Sequence, residues 1–280
     1  MESYYDAEKG DKAVQWIEKY CTHVKGALGG EPFILEDWQK DDIIRPLFGT
    51  IREDGMRRYR QAYIEVPRKN GKSNLCAAIA LYMLFADGEP GAEIISAAGD
   101  RNQARIVFEI ASAMCATNPK LSNHGKVLRN TIEYKNSFYK AISAEANTKH
   151  GFNAHAVILD ELHVFPDRDL YDVLKTSTGA RTQPLVIAIT TAGHDTSSIC
   201  YELHDYAKKV KDGSIKDDTF LPVIYSADKD DDWTQEATWA KANPGFGTIC
   251  KKDYFQQEVK RCQENPRMIN TFLRLHLNIW

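Results

Sequence analysis

The feature that most narrows the possible folds is a pair of short runs, Ala156-Val157-Ile158-Leu159 and Leu185-Val186-Ile187-Ala188-Ile189, that are apolar at every position. A strand with one wet face alternates apolar and polar residues, whereas an unbroken apolar run suits a strand covered on both faces. Residues 63–66 and 93–97 read as further strands. The stretches between strands have helical character: residues 73–85 are rich in Ala, Leu and Met, and residues 101–115 put Ala104, Val107, Phe108, Ala111 and Met114 on one face. Glu89-Pro90-Gly91 turns the chain between these segments, and residues 131–141 read as a hairpin around Asn136-Ser137. Strands that alternate with helices predict an α/β fold with a mostly parallel central sheet flanked by helices.

A chain of 280 residues, 43% of them hydrophobic, can bury a substantial core. Past residue 211 the composition turns charged, and the helical segments 236–241, 252–264 and 268–277 are separated by Asn243-Pro244-Gly245 and Asn265-Pro266. We therefore divide the chain into a core, residues 1–212, and a small, mainly helical unit, residues 213–280. Asp230-Asp231-Asp232 reads as a solvated loop rather than a metal site, because a two-metal centre needs carboxylates converging from different strands.

The acidic N-terminus lacks the features of a signal peptide, and the longest apolar run, residues 75–86, is shorter than the ~20 residues a membrane span requires. The six cysteines are scattered, without metal-ligand spacing, and read as buried thiols of an intracellular protein with no membrane partner. A net charge of −3 argues against a surface that grips nucleic acid everywhere. Residues 45–72 hold a local basic excess (Arg45, Arg52, Arg57, Arg58, Arg60, Arg68, Lys69, Lys72), which for most of these residues reads as a solvated face rather than a nucleic-acid contact.

The sharpest chemical signal is Val66-Pro67-Arg68-Lys69-Asn70-Gly71-Lys72-Ser73, set between a strand and a helix. Backbone N–H groups of such a loop and the positive helix N-terminus cradle phosphates. Lys72 would neutralise the β and γ oxygens and Ser73 would ligate Mg²⁺, although Val66 stands where the usual pattern has Gly. Asp160 and Glu161 close the 156–159 strand, at the end where ligands bind in such sheets. Asp160 would hold Mg²⁺ and Glu161 would deprotonate the attacking water. Thr190 and Thr191, after the 185–189 strand, either sense the γ-phosphate or form an ordinary Thr-Gly turn. Trp38 and Gln39 either stack on and hydrogen-bond adenine or belong to core and surface. As candidate arginine-type groups acting on the transition state, Arg68 and Lys69 would act within the chain. Arg101 or Lys149 would act between chains, unless both are plain surface charges.

Residues 33–39, 67–73, 97–104, 157–163, 190–193, Asn243-Pro244 and the closing Leu277-Asn278-Ile279-Trp280 resemble successive blocks of the large terminase subunit of tailed bacteriophages, over nearly the whole chain. That resemblance implies a P-loop ATPase domain using ATP and Mg²⁺, with an adenine-binding segment at Trp38-Gln39, a modified phosphate loop at Arg68 to Ser73 and a coupling motif at Thr190 to Gly193. It implies double-stranded DNA as partner, self-association into a ring, and contact with a portal protein and a small terminase subunit in the cytoplasm of the infected host. Asp160-Glu161-Leu162-His163 also resembles the DExH block of helicases, so a helicase fragment is the competing enzyme and a non-hydrolysing nucleotide-binding module the competing binding protein. Large terminases continue into a nuclease domain after a Leu-Asn-x-Trp segment. With the chain ending at Trp280, no DNA cleavage is expected of it.

Overall fold

In the computed structural model, which describes residues 2–144 and 151–280, ten strands form two sheets. β1 (Ser3–Tyr5) and β2 (Thr50–Arg52) make a small antiparallel pair. The main sheet holds β3 (Gln61–Glu65), β4 (Glu93–Ala98), β5 (Gly125–Val127), β6 (Thr131–Tyr134), β7 (Ser137–Ser143), β8 (Ala156–Asp160), β9 (Leu185–Thr190) and β10 (Phe220–Ile224), in the order β10-β3-β9-β8-β4-β7-β6-β5. The strands from β10 to β7 run parallel; β6 and β5 extend the edge as an antiparallel meander.

The apolar runs behave as two-faced strands. Ile158 and Ala156 of β8, with Leu185, Ile187 and Ile189 of β9, enter one core; Val157 and Leu159, with Val186 and Ala188, enter the core on the opposite face. The first core is closed by helices Ala7–Tyr20, Lys72–Phe85 and Arg101–Thr117, the second by Asp169–Thr176 and Ile199–Lys211. Helix Lys72–Phe85 is apolar almost all round because it is packed between the sheet and the helices beyond it. Glu236–Ala242, Lys252–Glu264 and Ile269–Leu277 gather around a third core of Trp239, Phe255 and Phe272.

Two local expectations change. β10 lies in residues assigned from the sequence to the helical unit, yet it pairs in register with β3, so the sheet runs on past residue 212. The hairpin turns one residue earlier than expected, at Lys135-Asn136, with Tyr134 paired to Ser137 and Lys135 in the left-handed region at φ 52°. All six cysteines are free and buried. Among the described residues no helix is long and apolar enough to cross a membrane. The Asp230–Asp232 segment is a turn in which Asp232 accepts from Thr234 and neighbouring Asp231 pairs with Lys241. Much of the basic excess in residues 45–72 is neutralised internally: Arg45 pairs with Asp11 and Asp41, Arg52 with Asp54, and Arg58 with Asp218.

Arg57, Asp87 and His155 form a buried charged cluster that ties the chain before β3 to the end of helix Lys72–Phe85 and the start of β8. His155 Nε2 lies 2.6 Å from Asp87, and Arg57 Nη2 donates to Gln183 O at 2.6 Å. Burial pushes the Asp87 carboxyl up, but His155 and Arg57 outweigh it and hold its pKa below the ordinary value. Asp87→Ala, which strands Arg57 without its partner, should destabilise the fold by about 3–5 kcal/mol in urea titration. A lowered folded pKa means that Asp87 contributes its full stability above the ordinary aspartate range and loses it as pH falls through the folded value. The parent should therefore lose stability on acidification more steeply than Asp87→Ala, and equal slopes would remove Asp87 from the account.

Candidate active site

The loop after β3 is shaped by its backbone. Lys69 and Gly71 both adopt left-handed φ, at 71° and 78°, and Gly71 caps helix Lys72–Phe85, where any Cβ would be strained. Val66 keeps an ordinary φ and buries its side chain in the core, so the missing glycine at that position costs the loop nothing. Lys72 turns back into the loop, its Nζ 3.2 Å from Val66 O and 3.3 Å from Pro67 O, and 3.6 Å from Glu161 Oε1.

The carboxylates arrive from β8, separated from β3 by β9. Asp160 is 2% exposed, and its Oδ1 has no hydrogen-bond partner. Burial, reinforced by the charge of Glu161, raises its pKa to about 7 against the pull of Lys72. Glu161 follows in a left-handed conformation, φ 52°, that a non-glycine residue adopts only under constraint. Its N–H donates to Ile189 O at 2.9 Å and its carbonyl accepts from Val164 N at 3.0 Å, which holds it there. Although burial pushes the Glu161 carboxyl up, Lys72 and then His163 hold it down at about 2, so it is ionised.

These groups meet at a cleft of about 760 Å³ lined by Arg68, Lys69, Gly71, Lys72, Ser73, Asn74, Asp100, Gln103, Glu161, His163, Val164, Tyr254 and His276. Ser73 on the cleft wall and the unpartnered oxygen of Asp160 behind it suit a Mg²⁺ ion that takes its remaining ligands from phosphate and water. Among the described residues no group of three or more His, Cys, Asp and Glu forms a ready-made metal cage.

Other sequence-selected residues lie elsewhere. Asn70 is fully buried and turned from the cleft: its Nδ2 donates to Asn243 Oδ1 at 2.8 Å, and its Oδ1 accepts from Gly245 N at 3.1 Å. Its polar groups satisfy the loop's attachment to the C-terminal helices, where Arg68 N also donates to Leu275 O at 2.9 Å. Trp38 is 8% exposed, part of the first core, and set edge-on to Tyr225; its indole does not line the cleft. Gln39 is buried with Nε2 unpartnered, 3.7 Å from where a Cβ on Gly71 would stand. Thr190 and Thr191 are fully buried and face His163 instead of the cleft. Arg101 is exposed and lines a separate hollow with Arg105 and Lys140. Lys149 lies outside the described residues.

The sequence reading missed Tyr254 and His276, which reach the cleft from helices about two hundred residues downstream of the loop and form no motif with it. Burial, followed by the charges of Arg68, Lys69 and Lys72, lowers the His276 pKa to about 4, so His276 is a neutral wall of the site.

The family described as "Terminase large subunit, ATPase domain" matches residues 37–209. The large terminase subunit of Enterobacteria phage HK97 is 32% identical over 281 aligned positions, covering 96% of this chain and 53% of the phage protein. That of Lactococcus phage p2 is 22% identical, covering 98% and 52%. The crystal structure of the HK97 large terminase superposes with a TM-score of 0.85 at 29% identity, over 97% of this chain and 55% of that one. The chain thus spans about half the length of these relatives.

Proposed function

Because the chain belongs to the terminase large-subunit ATPase-domain family, we propose that it hydrolyses ATP in this cleft and uses the energy to move double-stranded DNA into a viral procapsid. The observation that carries the chemistry is the meeting of Lys72 and Glu161, 3.6 Å apart, at the C-terminal ends of β3 and β8. Lys72, with Arg68 at the rim, binds phosphate oxygens; Glu161 accepts the proton of the water that attacks the γ-phosphorus as the bond to the ADP oxygen breaks. Ser73 and Asp160 would hold Mg²⁺, which when bound would supply charge neutralisation on the phosphates. Gln39 beside Gly71 supports an adenine position there.

The helices after β10 act as a lid over the loop they clasp. Assembly into a ring, contact with a portal protein and a small terminase subunit, and action in the host cytoplasm extend the same reading. A nucleotide-binding module without hydrolysis is the alternative, and it leaves the constrained backbone of Glu161 with no task. Steady-state ATPase of the purified chain, across protein concentration and with double-stranded DNA present or absent, tests the proposal. Turnover per chain should rise with concentration and with DNA; ATP bound but never hydrolysed under any of these conditions would establish the alternative.

A further inference from the structure

We infer that His163 is a positioning residue for hydrolysis, holding the water-activating Glu161 in register with Thr190 and Thr191 through a single N–H at Nδ1. The inference rests on the reading of Glu161 given above. The imidazole side chain is 6% exposed, and its Nδ1 stands 3.1 Å from Thr190 Oγ1, 3.3 Å from Thr191 Oγ1 and 3.2 Å from Glu161 Oε2.

The donors and acceptors around the ring select between its tautomers. Thr190 Oγ1 donates its one hydrogen to Thr191 O at 2.9 Å and accepts from the backbone N–H of His163 at 3.1 Å. Towards Nδ1 it has only a lone pair left, and Glu161, which must be a carboxylate to take a proton from water, is likewise an acceptor only. Thr191 Oγ1 can donate or accept, so a proton on Nδ1 is the tautomer in which neither Thr190 nor Glu161 faces the ring lone pair to lone pair. One N–H faces three oxygens and can satisfy one of them well at a time. As the ring stands, it bonds the threonine side, while Glu161 Oε2 has no in-line donor despite its closeness. With Nδ1 3.1 Å from Thr190 Oγ1 and 3.2 Å from Glu161 Oε2, the same N–H would serve the glutamate in place of the threonines after only a small turn of the ring.

The surroundings of His163 are close. Gly193 passes so close that a Cβ there would stand 3.3 Å from His163 Cβ and 3.0 Å from Trp280. Beyond the threonines, Ala192 N donates to Asn278 Oδ1 at 2.9 Å, and Asn278 Nδ2 donates to Tyr225 O at 2.9 Å. The place of Glu161 is thereby tied to the segment leading out of the last helix.

The test compares His163→Ala, →Asn and →Gln. An Asn amide puts N–H near the place of Nδ1, and a Gln amide puts it near the place of Nε2. His163→Ala should lower the ATP turnover rate ~10²-fold, the scale of a misplaced catalytic group, with ATP affinity unchanged. His163→Asn should recover most of the rate and His163→Gln should not. A residue that merely filled space would not distinguish the two amides. The inference is overturned if His163→Ala turns over at the parental rate, or if folded Asn and Gln variants, compared by thermal melt, show equal rates; should the Ala variant fail to fold, the Asn and Gln pair decides alone. Glu161→Gln is measured alongside: parental activity in that variant would overturn the reading of Glu161, which is a separate result from failure at His163.

Discussion

Glu161→Gln should bind ATP as the parent does and turn it over ~10²–10⁴-fold more slowly, while Lys72→Ala should lose ATP binding. The amide preserves the size of the side chain and its place beside His163 but takes no proton from water. Lys72 is the cation set deepest in the cleft, its Nζ held by the carbonyls of Val66 and Pro67 within the loop that must receive phosphate. Its removal leaves those carbonyls facing an anion. Binding by calorimetry and turnover at saturating ATP separate the two effects. Parental turnover in Glu161→Gln would mean that another group activates the water. The pKa of Glu161 adds a consequence. At about 2, the carboxylate beside Lys72 is a feeble base, so phosphate that draws Lys72 away also restores the basicity of Glu161. ATP binding and base activation are then one electrostatic event, and a lysine that stayed paired with Glu161 would do neither job.

What could be read from the sequence follows from which forces act locally. β8 and β9 were legible because strands covered on both faces must be apolar throughout, and that demand leaves a mark within five or six residues. The phosphate loop was legible because the backbone requires Gly71 and the chemistry requires Lys72 and Ser73 in fixed succession. β10 was not legible: it is short, it contains Pro222, and it lies between charged loops. An edge strand paired on one side only tolerates the missing N–H that a central strand would not. The role of the Asn70 side chain was not legible for a different reason. Its side chain donates to Asn243, 173 residues away, and no local pattern encodes such a partner. Trp38 gains more from burial beside Tyr225 than an exposed indole awaiting a ligand could, so an aromatic residue near a predicted site was weak evidence of stacking. His163 shows its role only when the two threonines after β9 are brought beside it.

Mixing Arg101→Ala chains with Lys72→Ala chains should restore ATPase activity that neither variant has alone. An arginine supplied by a neighbour to the transition state is worth ~10³–10⁵ in rate, so Arg101→Ala by itself should be nearly inactive while still binding ATP. The placement of Arg101 outside its own cleft motivates this test. Arg101 opens the helix that follows β4, on the edge of the sheet where β3 and β8 also end. The preceding residue, Asp100, lines the phosphate cleft and uses its carboxylate to cap that helix, accepting from Asn102 N at 2.8 Å and Gln103 N at 3.0 Å. Arg101 instead turns to the hollow on the other side, exposed and away from the cleft of its own chain. If chains assemble into a ring as proposed, a side chain so placed would be available to an adjoining site. An Arg101→Ala chain keeps a working phosphate loop, and a Lys72→Ala neighbour keeps the arginine to complete it, so mixed interfaces regain what pure ones lack. If the two variants demonstrably co-assemble and activity does not return, Arg101 is no trans-acting group and its charge belongs to the surface.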